Sequence, residues 1–182
     1  MTRLIVVKVG TNVLTDANGS PDDRFSKQLV ADIAAVQRSG YAVILVSSGA
    51  MGFGRNALRI LKPMSAVAER QVYAAIGHVE LMKRYSTLFA THRLSVAQVL
   101  ATKQDFHDRD HYLNMRHCFM ALLDQRVVPI VNENDVVSVS ELMFTDNDEL
   151  ASLVAAMLNA YRLIILTNVE GVFAGDPTTS QL

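Results

Sequence analysis

Two polar blocks, Asn132-Glu133-Asn134-Asp135 and Thr145-Asp146-Asn147-Asp148, interrupt a chain of 182 residues that is 50% hydrophobic. An apolar, β-rich run over 127–131 leads into the first, and an apolar helical pattern from Leu150 leaves the second. Carboxylates and primary amides at the mouth of a buried core are costly unless each is paired or faces a ligand. Such groups can hold an ammonium. Lys8 brings the opposite charge near the end of another apolar run, with Gly10 close by to let backbone amides approach an anion, so phosphate is its natural partner. Ser47-Ser48-Gly49-Ala50 follows a further apolar run and opens a helical pattern, where amide and hydroxyl donors can take an anion. Together these residues describe a zwitterionic substrate beside a phosphoryl donor.

Each feature also has a plain structural reading. Lys8 could be a strand-end lysine snorkelling to water, and the serines an ordinary helix N-cap. Capping and the helix dipole could account for Asp146, Asn147, Asp148 and Glu149. They account less well for the Asn132–Asp135 block, which begins directly after a buried strand. His107 and His111 have a spacing that can bind zinc, with Asp108 and Asp110 nearby, but a solvated helix start explains them more simply. Cys118, in an apolar helical pattern, reads as core rather than as a nucleophile. Thr167-Asn168, past the last apolar run, either touch a nucleotide or form an exit turn. Gly49, Gly52 and Gly54 do not form a dinucleotide fingerprint, and the chain has no P-loop motif.

The elements that must position these groups follow from periodicity. Short apolar runs at 4–9, 41–46, 94–100, 127–131 and 163–166 predict strands, and 136–143 a hairpin arm. Helical patterns are predicted from 22 or 23 to 39, from 50 towards 61, over 65–90, over 111–125 and over 147–159, with loops at 10–12 and 16–23 and a charged loop or helix entry at 105–110. This alternation predicts an α/β fold with a mainly parallel sheet sandwiched by helices, as one domain over 1–182. Ligands of such sheets bind beyond the carboxyl ends of the strands, where the candidate residues fall.

The net charge of −1 offers no basic field for nucleic acid. A single cysteine fits a reducing compartment rather than a disulfide framework. No signal-peptide layout opens the chain, and no apolar run reaches the roughly 18 residues of a membrane span. The expectation is a cytoplasmic protein.

The motifs in combination resemble the amino acid kinase family. The resemblance is carried by Val6-Val7-Lys8-Val9-Gly10-Thr11-Asn12-Val13-Leu14, Val46-Ser47-Ser48-Gly49-Ala50, Asn132-Glu133-Asn134-Asp135, Asp146-Asn147-Asp148-Glu149-Leu150 and Leu166-Thr167-Asn168-Val169-Glu170-Gly171-Val172, in that order. Asp108-Arg109 and Tyr112-Leu113-Asn114 add to it. The first run and the Asn-Glu-Asn-Asp block point to the glutamate-phosphorylating branch over the acetylglutamate, aspartate, carbamate and UMP branches. The resemblance implies transfer of the ATP γ-phosphate, with Mg²⁺ on the phosphates, to the side-chain carboxylate of L-glutamate. The γ-glutamyl phosphate formed begins proline synthesis and is reduced by glutamate-5-semialdehyde dehydrogenase. Proline as feedback inhibitor and a homo-oligomer are implied likewise.

By the same resemblance, Lys8 stabilises the transferring phosphate and Asp148 orients the lysines of the site. Ser48, Gly49, Asp135 and Asn147 bind glutamate, and Lys8, Gly10, Thr167 and Asn168 lie at the nucleotide. No residue is assigned to a metal. Two departures stand out: Asn168 replaces the family's usual aspartate, and the chain ends at Leu182, before the family's glycine-rich, lysine-containing nucleotide half. The expectation is a domain truncated at its C-terminus in which glutamate binding outlasts catalysis. The alternative is a non-catalytic glutamate- or proline-binding module.

Overall fold

A computed structural model describes residues 2–15, 20–138, 146–168 and 171. Five strands, β1 (Leu4–Val9), β2 (Ala42–Ser47), β3 (Val96–Ala101), β4 (Val128–Glu133) and β5 (Arg162–Leu166), form a single sheet in the order β3-β4-β2-β1-β5. Every neighbouring pair is parallel. The helices are α1 (Thr11–Leu14), α2 (Asp23–Arg38), α3 (Ala50–Ala57), α4 (Ala66–Ala90), α5 (Lys103–His107), α6 (Arg109–Asp124) and α7 (Asn147–Met157). The expected α/β architecture is therefore present, a parallel sheet covered by helices on both faces. Among the described residues, no helix is long and apolar enough to cross a membrane.

The two-residue period of a strand divides β1 between two cores. Ile5, Val7 and Val9 pack with Leu29, Val30 and Ile33 of α2 and with Leu81, Tyr85 and Phe89 of α4. Leu4 and Val6 pack with Phe119 of α6 and with Leu150, Ala151 and Val154 of α7. Burial on both faces explains the continuous apolar sequence of β1 and β2. The same alternation gives Lys8 the parity of Leu4 and Val6, on the α7 side of the sheet.

Helix boundaries follow local chemistry. The Asp22 side chain accepts from the Phe25 amide at 2.9 Å and starts α2, and Gly40, at φ 90°, follows its end. Ser65 caps α4 by accepting from the Ala68 amide at 3.2 Å. Gly54 of α3 and Gly77 of α4 bring these helices into backbone contact: a Cβ on Gly77 would lie 1.6 Å from the Ala50 carbonyl oxygen, and one on Gly54 1.9 Å from that of Tyr73.

Several expectations need correction. Thr11 and Asn12, expected as loop, open α1, because the Gly10 carbonyl accepts the amides of Val13 and Leu14 and the Leu14 side chain gains a buried site. Helix α3 stops at Ala57 rather than near 61, since Leu58 is extended. Strand β3 starts at Val96, because Leu94 still bonds back to the end of α4. Of the loop and the helix entry left open for 105–110, the structure has the latter, as the end of α5 and the first turn of α6, joined at Asp108; Thr102 and Asp105 cap α5 reciprocally. Strand β4 runs on through Asn132 and Glu133. Val137 and Ser138 bond back to Asn134 as a turn, not a hairpin arm. The rest of that arm, Thr145 and the motif residues Val169, Glu170 and Val172 lie outside the described residues. Cys118 is exposed rather than in the core; its neighbour Phe119 is the α6 side chain that is buried.

Candidate functional site

The carboxyl ends of β1, β2 and β4 and the start of α7 meet at one place. Lys8 is 7% exposed, and its Nζ stands 2.5 Å from Oδ1 of Asp148. The α7 dipole and cap explain only part of the acidic start of that helix: Asp146 takes the amides of Asp148 and Glu149, at 2.8 and 3.1 Å. With the cap supplied by Asp146, the Asp148 carboxylate is available to Lys8, and Glu149 pairs with Lys103 at 2.6 Å.

Asn147 ties three elements together. Its Nδ2 donates to Ser48 Oγ at 2.6 Å and to Asn132 Oδ1 at 3.0 Å, and that same oxygen accepts the Glu133 amide at 2.9 Å. The turn after β2 is shaped by Gly49, whose φ of 98° is strained for any residue with a Cβ. The Ser48 amide donates to the Val9 carbonyl at 3.0 Å, and the Gly10 amide to Leu166 at 3.3 Å. A Cβ on Gly10 would come within 3.4 Å of Lys8 Nζ, so glycine leaves room around the ammonium. The adjacent serines have different partners. Ser47, fully buried, bonds to the Tyr85 hydroxyl at 2.8 Å beneath the site, and burial pushes that phenol up to about 12.

Asp135 lies in a second cluster just past β4. Its Oδ1 accepts from Arg70 Nη2 at 2.7 Å and Nε at 3.2 Å, while its Oδ2 faces His78 Nε2 at 3.8 Å. Arg70 Nη2 also stands 3.7 Å from Glu133 Oε2, and Gln71 donates to the Val136 carbonyl at 2.7 Å. Burial pushes His78 below the usual histidine range, against the pull of Asp135 and of the Glu133 main chain.

The structure thus gathers Lys8, Gly10, Ser48, Gly49, Asn147 and Asp148, and sets Asp135 beside them with its own cation. Thr167 and Asn168 are exposed just past β5, next to β1 at the same end of the sheet. Sequence reasoning missed Arg70 and His78. Both are polar residues eight apart on α4, a spacing near two helical turns that places them on one face. It also assigned no role to Asn132, which holds the amide that reaches Ser48. The His107–His111 region is occupied by local structure: His111 Nδ1 is 2.8 Å from Asp105 Oδ1, and Asp108 caps α6. A cavity of about 490 Å³ lined by Phe53, Lys27, Lys83 and Arg84 lies elsewhere, between α2, α3 and α4, and none of the gathered residues lines it.

As a donor set, Lys8 Nζ and the amides near Gly10 and Gly49 suit phosphate oxygens. Among the described residues no group of three or more His, Cys, Asp or Glu could hold a metal ion. A Mg²⁺ ion carried mainly by nucleotide phosphates and water, as is usual for this ion, fits such a site better than a protein cage.

Comparison with known proteins bears on the family and the fold. Residues 3–182 match the amino acid kinase family. The chain is 50% identical over 184 residues to glutamate 5-kinase of Chlorobaculum tepidum, covering 99% of this chain and 51% of that protein. It is 48% identical to glutamate 5-kinase of Bacteroides thetaiotaomicron, covering 96% and 48%. The chain spans about half the length of the curated relatives it matches. Among solved structures, UMP kinase of Ureaplasma parvum superposes with a TM-score of 0.63 at 15% identity, covering 100% of this chain and 75% of that one. Giardia carbamate kinase does so with a TM-score of 0.60 at 18% identity, covering 100% and 78%. These two likenesses concern the fold.

Proposed function

Since the chain belongs to the amino acid kinase family, we propose that it holds L-glutamate at the carboxyl end of its sheet and, as part of a glutamate 5-kinase, directs ATP-dependent phosphorylation of the side-chain carboxylate. The observation that carries this reading is the placement of the Lys8–Asp148 pair beside the Ser48–Asn147–Asn132 chain of hydrogen bonds. A carboxylate oxygen of glutamate attacks the γ-phosphorus. The new O–P bond forms as the bond to the ADP oxygen breaks, and ADP leaves with that electron pair; no proton need move. Such transfers depend on positioning and charge neutralisation.

In this reading Lys8 neutralises charge gathering on the transferring oxygens, and Asp148 keeps the lysine aimed. Ser48 and Asn147, with the Gly49 turn, fix a carboxylate of glutamate, and Asp135 receives the ammonium group. Gly10, Thr167 and Asn168 border the nucleotide, whose Mg²⁺ supplies further charge neutralisation when bound. The acyl phosphate is a short-lived product suited to immediate reduction, so glutamate-5-semialdehyde dehydrogenase of proline synthesis is the proposed consumer. Proline as feedback inhibitor, homo-oligomerisation and a cytoplasmic location belong to the same proposal.

Binding is the property to test on this chain. L-Glutamate at ~100 times its dissociation constant is expected to stabilise the fold by roughly 2.7 kcal/mol, read as a rise in melting temperature. Ser48→Ala and Asn147→Ala should each remove most of that rise. A folded protein whose melt ignores glutamate would sink the proposal. A response to glutamate or proline without any response to Mg-ATP would favour the binding-module alternative.

A further inference from the structure

Four ionisable side chains converge just beyond β4, apart from the Lys8–Asp148 pair. Glu133 and Asp135 are each only 8% exposed, and Arg70 lies against both. His78, 6% exposed, turns Nε2 towards Asp135 Oδ2 from beyond hydrogen-bond reach, and that nitrogen has no hydrogen-bond partner among the described residues. The Asp135 carboxylate is the charge that faces the imidazole. Protonating the imidazole sets a positive charge beside it.

We propose that Arg70 and His78 are positioning residues of an ammonium subsite, Arg70 fixing the Asp135 carboxylate and His78 setting, through its charge, how strongly the cluster holds the amino group of an amino acid. This rests on the reading of the site as one for glutamate. A protonated His78 would compete with the ligand for Asp135 and repel its ammonium; a neutral one leaves the carboxylate to the ligand. Burial favours the neutral form. Among the described residues, the charge bearing on His78 is Asp135, with Glu133 and Arg70 next to that carboxylate. On the other side of α4, α3 packs backbone to backbone at Gly77. Linkage then requires the reciprocal effect: binding an ammonium must make His78 harder to protonate.

The test is calorimetric titration of the chain with L-glutamate and with glutarate, the same dicarboxylate without the amino group, from about pH 8 to about pH 5. Preference for glutamate over glutarate is expected to fall at least about fivefold on acidification, the lower end of ordinary coupling between sites. In His78→Gln it should change only as far as the ligands' own protonation dictates. Arg70→Lys, which keeps the charge and loses the two-point grip, should lower the preference similarly at every pH. NMR titration of the wild-type imidazole needs no variant: glutamate should shift the His78 midpoint to lower pH, and glutarate should not. An identical pH profile in His78→Gln, or a midpoint that glutamate leaves in place, overturns the proposal while glutamate binding itself stands. Binding of neither ligand overturns the glutamate reading and this inference with it.

Discussion

Lys8 owes its position to the period of a strand. One residue earlier or later in β1, its side chain would enter the α2–α4 core rather than face the start of α7. There it meets Asp148, whose side chain is 40% exposed, so the pair is partly solvated and can open to admit a phosphate. In a form of the enzyme that turns over, Lys8→Met should lower kcat by about 10²–10³, the usual consequence of removing one aligned donor to the transition state. Its glutamate KM should stay nearly unchanged. Asp135→Ala should do the reverse, raising glutamate KM with a smaller change in kcat. Steady-state kinetics with each substrate varied would check this, and equal losses in both variants would contradict the division of roles. At this scale polar residues beside apolar runs stand out in the sequence: Lys8, Ser48, Asp135, Asn147 and Asp148 could all be picked out as candidates. Arg70 and His78 could not, because a single arginine or histidine in a long helix is ordinary. Only the approach of β4 shows what they face.

At the scale of elements, α3 and α4 carry much of the positioning, since α3 starts at the Gly49 turn and α4 carries Arg70 and His78. Their approach depends on Gly54 and Gly77. The atom that a new methyl group at Gly77 would strike is a carbonyl oxygen of the helix backbone, which cannot swing aside. Gly77→Ala is therefore expected to cost at least the 1–3 kcal/mol or so typical of overpacking, measured as a lower urea midpoint. The same change at Gly52, with open space around it, should cost nothing comparable and can gain helix propensity. Equal stability of the two variants would show that the helices part easily. Strand and helix order was legible because buried parallel strands and amphipathic helices have distinct periods. The helical role of Gly54 and Gly77 was hidden, since close packing is a property of two segments while the sequence displays them one at a time. For the same reason Cys118 was misjudged: the apolar composition around it did not tell which face of α6 turns inward.

For the whole molecule, β1 and β2 are shared by both cores, so the α2–α4 layer and the α6–α7 layer stand on the same strands. Loss of either layer exposes one face of a sheet whose residues are apolar on both, which favours unfolding as one unit. The family membership of the chain was legible as well, through the order of several motifs spread along its length. The curated relatives it matches are about twice as long, so about half of their length has no counterpart in these motifs.

The Ser47–Tyr85 bond makes this unit optically readable. The chain has no tryptophan and five tyrosines, so its near-ultraviolet spectrum is a tyrosine spectrum. Tyr85 is one of them, enclosed beneath the turn that carries Ser48, with a phenol raised to about 12 where an ordinary one titrates at 10.0. A group whose pKa rises on folding adds stability that is complete below pH ~10 and fades as the pH climbs towards the folded value. In an alkaline titration read by phenolate absorbance, the Tyr85 signal is expected to lag behind the other four, more accessible tyrosines and to emerge with the loss of helical circular dichroism. A Tyr85→Phe variant should lose that late step. If the step survives, some other tyrosine is the sheltered one. If it stands, the protein carries its own chromophore under the turn that carries Ser48, and a ligand that disturbs that turn can be followed by difference absorbance with no label attached.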